Sequence, residues 1–213
     1  MDRRVHVDYV KSLLLSQSAL QRANIGFRAY FVVQDSLVMQ ARNQILAEFC
    51  ASDATDLIFI DSDIGWEVGG LLRLISHNVP FVAGLYRRKE ETLSYTVQFS
   101  DPHAVTRNRE TGLIEVTRVG AGFLRLQRNA IERMIDAYPG LRYSPPHALG
   151  ETKDRYALFD TSLENGEFRG EDYTFCDRWR AIGGKIWADP EIVLHHIGTM
   201  AYTGSLRDVL VKN

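Results

Sequence analysis

A chain of 213 residues, 45% hydrophobic and 24% charged, can bury a sizeable core as one domain or as one domain with a small lobe. Its formal net charge of −2 is the wrong balance for a dedicated nucleic-acid binder, which carries a basic stripe. No apolar run approaches the roughly 18–20 residues needed to cross a bilayer and no signal peptide opens the chain, so a cytoplasmic protein is expected.

The stretch from about Val5 to Ala23 repeats apolar positions at helical spacing, with Val10, Leu13, Leu14 and Leu20 on one side. Phe27 to Val33 reads as a strand. A helix follows from Ser36 to about Ala51, capped by Asp35 or Ser36. Asp56 to Ile60 is a buried strand, because Leu57-Ile58-Phe59-Ile60 combines β-branched and aromatic character. A helix over Val68–His77 and a short strand over Phe81–Gly84 come next. This alternation predicts right-handed crossovers and a largely parallel sheet covered on both faces.

Beyond Thr92 the character changes. Tyr95–Phe99 and Leu113–Thr117 alternate as strands, Val119–Leu126 is a further strand, and a helix over Asn129–Ala137 stops at Pro139-Gly140. Tyr143 to Tyr156, with Pro145, Pro146 and Gly150, is a loop and a candidate lid. A helix runs from behind Gly170 to about Ile182, and Lys185–Ala188 and Glu191–Leu194 are short extended pieces. Cys50 and Cys176 are the only cysteines, far apart and without metal-ligand spacing. A reducing compartment is the simpler reading, with both as small helix-packing residues.

The sharpest feature is Asp61-Ser62-Asp63, two carboxylates directly after a buried strand. Ligands of open α/β sheets sit in the crevice beyond strand carboxyl ends. Two acids held there call for a cation, and Mg²⁺ or Mn²⁺ bridging to phosphate oxygens meets that need. A plain strand-end turn is the competing reading, since Asp and Ser are common in turns.

Ala41-Arg42-Asn43, followed by an apolar strand and Asp61-Ser62-Asp63, resembles the nucleotide-sugar glycosyltransferases of the GT-A fold, in particular family 2. Gly170-Glu171-Asp172 at a helix start is similar to that group's acidic motif, and Leu194-His195-His196-Ile197-Gly198 to the segment carrying its late histidine. The motifs occur in the expected order and span most of the chain. The resemblance implies one GT-A domain over 1–213, with a mostly parallel central sheet flanked by helices and a smaller antiparallel section. Its nucleotide-binding half would be about 1–90 and its acceptor-binding half about 91–213.

By the same resemblance, Asp61 and Asp63 would hold Mn²⁺ (or Mg²⁺) with His196 as third ligand, while Arg42, Asp61, Ser62, Asp63, Arg87 and Gly122 would bind the donor. Asp172 would deprotonate an acceptor hydroxyl, and Glu171 would bind acceptor or cap the helix. The donor would be a UDP-sugar, with a GDP-sugar open, and the acceptor a glycan or other hydroxyl. His195 would point away from His196 in an extended segment. Gly120 and Gly122 suggest either a close approach of backbone to another group, such as the donor sugar, or a tight strand bend, and Trp66 and Trp179 are either sugar-stacking or core residues.

Members of the group open with a strand before the first helix, whereas here only Met1-Asp2-Arg3-Arg4 precede it. A sheet without that strand is expected: its place is taken by another segment or by a second copy in a homo-oligomer, or the chain starts late. Two other functions compete. A binding remnant would have lost its chemistry with the strand. A sugar-phosphate nucleotidyltransferase would carry an early Gly-rich phosphate loop, and none is present. Retaining mannan-type enzymes share the Ala-Arg-Asn and acidic turn and rival the inverting reading.

Overall fold

The computed structural model describes residues 5–33, 37–144 and 154–210. Its first part comprises α1 (Val7–Arg22), α2 (Val38–Cys50), β1 (Asp56–Ile60), β2 (Ile64–Trp66), α3 (Val68–Ser76), β3 (Phe81–Gly84), β4 (Val97–Gln98), β5 (Ile114–Val116) and β6 (Arg118–Val119). The remainder comprises β7 (Phe123–Gln127), α4 (Arg128–Ala137), β8 (Arg142–Tyr143), β9 (Arg155–Tyr156), β10 (Ser162–Glu164), β11 (Glu167–Arg169), α5 (Glu171–Ala181), β12 (Ile186–Asp189), β13 (Leu194–Ile197), β14 (Ala201–Gly204) and α6 (Arg207–Leu210). The proposed caps Asp35 and Ser36, and most of the proposed lid, lie outside the described residues.

The central sheet has the order β1-β7-β3-β12-β5. Only β3 and β12 run parallel, with Trp187 opposite Val82. The expected mostly parallel sheet is therefore corrected to a mixed one in which antiparallel pairs predominate. The cause is β7, which comes late in the chain yet lies between β1 and β3, pairing Ile60 with Phe123 and Phe81 with Leu126. Strand–helix alternation tells which segments are strands, but not that a later strand will separate two earlier ones.

Both faces of the sheet are covered, so its strands carry apolar residues on alternate sides. Phe81, Ala83, Leu124 and Leu126 face a cluster with Phe159, Phe175 and Trp179. Val82 and Phe123 face the opposite cluster, which contains Leu20, Ile64, Trp66, Leu74 and Leu194. Both tryptophans are core residues, 4% and 1% exposed for Trp66 and Trp179, which removes them as sugar-stacking candidates. Cys176 belongs to the first cluster, where burial pushes its thiol up to about 12. Cys50 is exposed and does not pack as expected.

Two N-terminal expectations fail for identifiable reasons. Phe27–Val33 forms no strand: Phe27, Tyr30, Phe31 and Val33 are exposed. The segment has the pattern for a half-buried sheet position, but no described strand pairs with it, and β1 ends the sheet on that side. Helix α1 forms, yet it buries Ser12, Ser16, Ala19 and Leu20 and exposes Val10 and Leu14. Trp66 sets this orientation. Its backbone N–H donates to the Ser12 hydroxyl at 3.0 Å, that hydroxyl donates to the Trp66 carbonyl at 2.6 Å, and the indole N–H donates to Ser16 at 2.8 Å. An indole N–H buried without an acceptor costs about 1–3 kcal/mol, comparable with leaving a few methyl groups in water.

Ser16→Ala leaves that indole N–H unpaired and is expected to destabilise the fold by about 1–3 kcal/mol. Urea denaturation should show a lower midpoint at an unchanged slope.

Candidate active site

The site forms at one end of the central sheet, where β1 and β3 terminate and the antiparallel β7 begins. Asp61-Ser62-Asp63 leaves β1 here, Tyr86-Arg87-Arg88-Lys89 follows β3, and Gly120-Ala121-Gly122 leads into β7. A three-stranded sheet, β14-β13-β2, brings in the late histidines by setting His196 opposite Ile64. The Ile197 N–H donates to the Asp63 carbonyl at 2.8 Å, so the histidine segment and the acidic turn are one unit.

The acidic turn is held by its backbone before its side chains act. The Asp61 N–H donates to the Gly122 carbonyl at 3.0 Å, and the Ile64 N–H donates to the Asp61 carbonyl at 3.0 Å. From α2, Arg42 reaches the Asp61 carboxylate with one terminal nitrogen at 3.0 and 3.3 Å and binds Glu171 with the other. Its side chain is 7% exposed and lies over the Phe159 ring. Burial opposes the Arg42 charge, but Asp61 and then Glu171 outweigh it, so its pKa lies above the usual range. The neighbouring Asn43 fixes the facing loop by donating to the Phe159 carbonyl at 2.8 Å and accepting from its N–H at 3.0 Å.

Asp63 has a separate set of partners. Its Oδ2 accepts from the Lys89 ammonium at 2.6 Å and lies 3.6 Å from His196 Nε2. Burial works to raise the Asp63 carboxyl, yet hydrogen bonds and charge from His196 and Lys89 prevail and hold it at about 2. His196 Nδ1 is 2.7 Å from the Arg87 carbonyl, which can only accept, so that nitrogen carries a hydrogen and Nε2 faces Asp63. His195 points to the other side, toward Thr203 at 2.9 Å.

On α5, Gly170 is the N-cap and places Glu171 and Asp172 in the first turn, where unpaired N–H groups and the helix dipole favour acids. Asp172 accepts from the Tyr173 N–H at 2.8 Å. Burial, followed by the charge of Glu171, raises its carboxyl to about 6 against the opposing pull of Arg42. Tyr86, which sequence reasoning passed over, is 6% exposed at the centre of the cluster. Its hydroxyl accepts from the Gly122 N–H at 3.2 Å, and its ring stands edge-on to His196 at 5.0 Å. Burial first, then Asp61, raises its phenol.

Gly120 and Gly122 were the signal for it. A Cβ at Gly120 would lie 2.3 Å from the Tyr86 hydroxyl, and one at Gly122 would lie 2.9 Å from both the Tyr86 ring and the Asp61 carboxylate. The close approach these glycines permit is thus to Tyr86 and the acidic turn. Ser62 is exposed, and its carbonyl accepts from the His6 N–H at 3.4 Å. Arg87 turns its guanidinium toward Tyr202, 6.0 Å from the ring centre.

Asp61, Asp63 and His196, expected as a metal triad, are not arranged as one. Asp61 is committed to Arg42 and Asp63 to Lys89, and no group of three or more His, Cys, Asp or Glu among the described residues is placed to hold a metal. As arranged, this donor set does not fit a divalent ion. Likewise among the described residues, no helix is long and apolar enough to cross a membrane.

No family model and no curated protein matches the chain. Among solved structures, the crystal structure of A197 from STIV is similar over 92% of this chain and 81% of its own, at 17% identity and a TM-score of 0.54. At that identity the likeness is one of fold.

Arg42→Ala would leave Glu171 and Asp61 facing each other without a cation. Breaking a buried pair on one side costs about 3–5 kcal/mol, and the partial exposure of Asp61 places the expected loss near ~3 kcal/mol. Chemical denaturation of Arg42→Ala beside Arg42→Lys, which keeps the charge, would measure it.

Proposed function

We propose that the chain is a glycosyltransferase that moves a sugar from a nucleotide-diphosphate donor to an acceptor hydroxyl with inversion, Asp172 acting as general base. One observation supports this most: a buried carboxyl at about 6 in the same cluster as the acidic turn at the strand ends. A base with that pKa is ionised near neutrality yet accepts a proton more readily than an ordinary aspartate. The sequence motifs supply the reaction class. Asp172 takes the acceptor proton, the acceptor oxygen forms its bond to the anomeric carbon, and the bond from that carbon to the diphosphate oxygen breaks with its electron pair leaving on the diphosphate. Glu171, bound to Arg42, stands beside Asp172 and is second to burial in raising that carboxyl. The donor class is a UDP- or GDP-sugar, and the acceptor is a glycan or other hydroxyl.

Transfer should rise with pH through about 6, because only ionised Asp172 accepts the proton. Asp172→Asn should lower the transfer rate by roughly 10²–10⁴-fold and remove that limb of the profile, with donor binding retained. Unchanged transfer in this variant would refute the base assignment.

The same carboxyl gives a stability prediction of opposite sense. Its folded-state pKa lies above the 3.8 of an unperturbed aspartate, so the contribution of Asp172 to stability is fully present below about pH 4 and is lost as pH rises through about 6. Above pH 7, Asp172→Asn should therefore stabilise the protein, on the order of 3 kcal/mol for two pKa units. Thermal melts at pH 4 and pH 8 would show the gain at the higher pH only.

A further inference from the structure

The acidic turn already contains a cation. Lys89 projects from the segment after β3 and places its ammonium 2.6 Å from Asp63 Oδ2, on the same carboxylate oxygen that faces His196 Nε2. Its stem is seated: a Cβ on Gly198 would lie 3.2 Å from Lys89 Cδ, so the methylenes run across the backbone of the loop after His196. That loop is itself closed by the Gly198 N–H donating to the Met200 carbonyl at 2.8 Å. The other carboxylate of the turn is held by Arg42 at 3.0 Å. A divalent ion would have to displace one or both of these cations before it found its ligands.

An ammonium has three donors, and Asp63 takes one. The Lys89 side chain is 36% exposed, so the others are accessible from solvent, and the segment that carries it follows a strand end, the side of an open sheet where ligands sit. Arg88 is adjacent in the chain and exposed. We infer that Lys89 is the resident cation of the acidic turn and contacts the donor's diphosphate directly, so that nucleoside diphosphate binding needs no divalent ion. This rests on the donor-site reading above. In the transfer step the ammonium offsets the negative charge arriving on the diphosphate as the bond to the anomeric carbon breaks, the electrostatic task usually given to a metal.

The test titrates UDP and GDP calorimetrically into the protein and into Lys89→Gln, each in EDTA and in Mn²⁺. Electron paramagnetic resonance of free Mn²⁺ measures ion binding without any donor. The wild type should bind one of the two diphosphates equally well in EDTA and in Mn²⁺. Lys89→Gln should weaken binding in EDTA by about tenfold or more, the loss of one charge-assisted contact. The variant should also bind Mn²⁺ more tightly than the wild type, and Lys89→Arg should recover most of the EDTA affinity. Wild-type binding that appears only with Mn²⁺, or Lys89→Gln binding as the wild type does in EDTA, overturns the inference and leaves the donor site standing. Binding of neither diphosphate in either condition overturns both.

Discussion

A guanidinium buried in a protein must be matched by anions, and Arg42 is matched by two from distant parts of the chain. Asp61 leaves the edge of the central sheet, Glu171 opens α5, and Arg42 comes from the middle of α2. This one side chain therefore fixes the distance between the acidic turn and the helix that carries Asp172. It also divides the charges of the site. With Asp61 and Glu171 held on the guanidinium, Asp172 is the acid left without a strong cationic partner, and burial can raise it. Asp63, three residues from the end of β1, is held far below the usual carboxylate range because Lys89 and His196 face it instead. Two acids of opposite behaviour thus lie in one cluster, separated by what neutralises each.

The second constraint is steric. Tyr86 fills the centre of the site and is tolerated there only because Gly120 and Gly122 have no side chains. Its hydroxyl meets the backbone of β7's approach, and its ring flanks His196. The turn, the histidine segment and the end of β3 therefore pack around one aromatic ring, which limits how far any of them can shift independently.

The local features of this chain were legible in its sequence, and the features that depend on partners were not. Phe81–Gly84 is an apolar run buried along its whole length and Leu57–Ile60 an apolar run at least half-buried, and no partner information is needed to recognise them as strands. Phe27–Val33 has an equally good pattern and forms no strand, because alternation describes a surface that could be covered without supplying what covers it. The inward face of α1 was misread since Ser12 and Ser16 look like solvent positions until Trp66 is known to need an acceptor. The acidic turn and the Glu171-Asp172 helix start could be found from adjacent residues alone. The basic run Arg87-Arg88-Lys89 after a strand reads equally as a diphosphate contact on the ligand side of the sheet or as a solvated turn, and the pairing of Lys89 with Asp63 was not legible, because Asp63 lies 26 positions earlier and only the fold brings them together.

The placement of β7 also bears on how the chain is made. Synthesis proceeds at about 5–20 residues per second, so the ~40 residues between Gly84 and Phe123 correspond to roughly 2–8 seconds on the ribosome. Throughout that interval β1 and β3 have emerged without the strand that lies between them, each presenting unpaired backbone groups along an apolar segment. Neither can pair with the other in the native order, and a direct β1–β3 pairing would have to open again before β7 could enter. The nascent N-terminal half is consequently the period of greatest exposure to chaperones and to aggregation. No native partner in the central sheet is available to β1 or β3 before Phe123–Gln127 arrives.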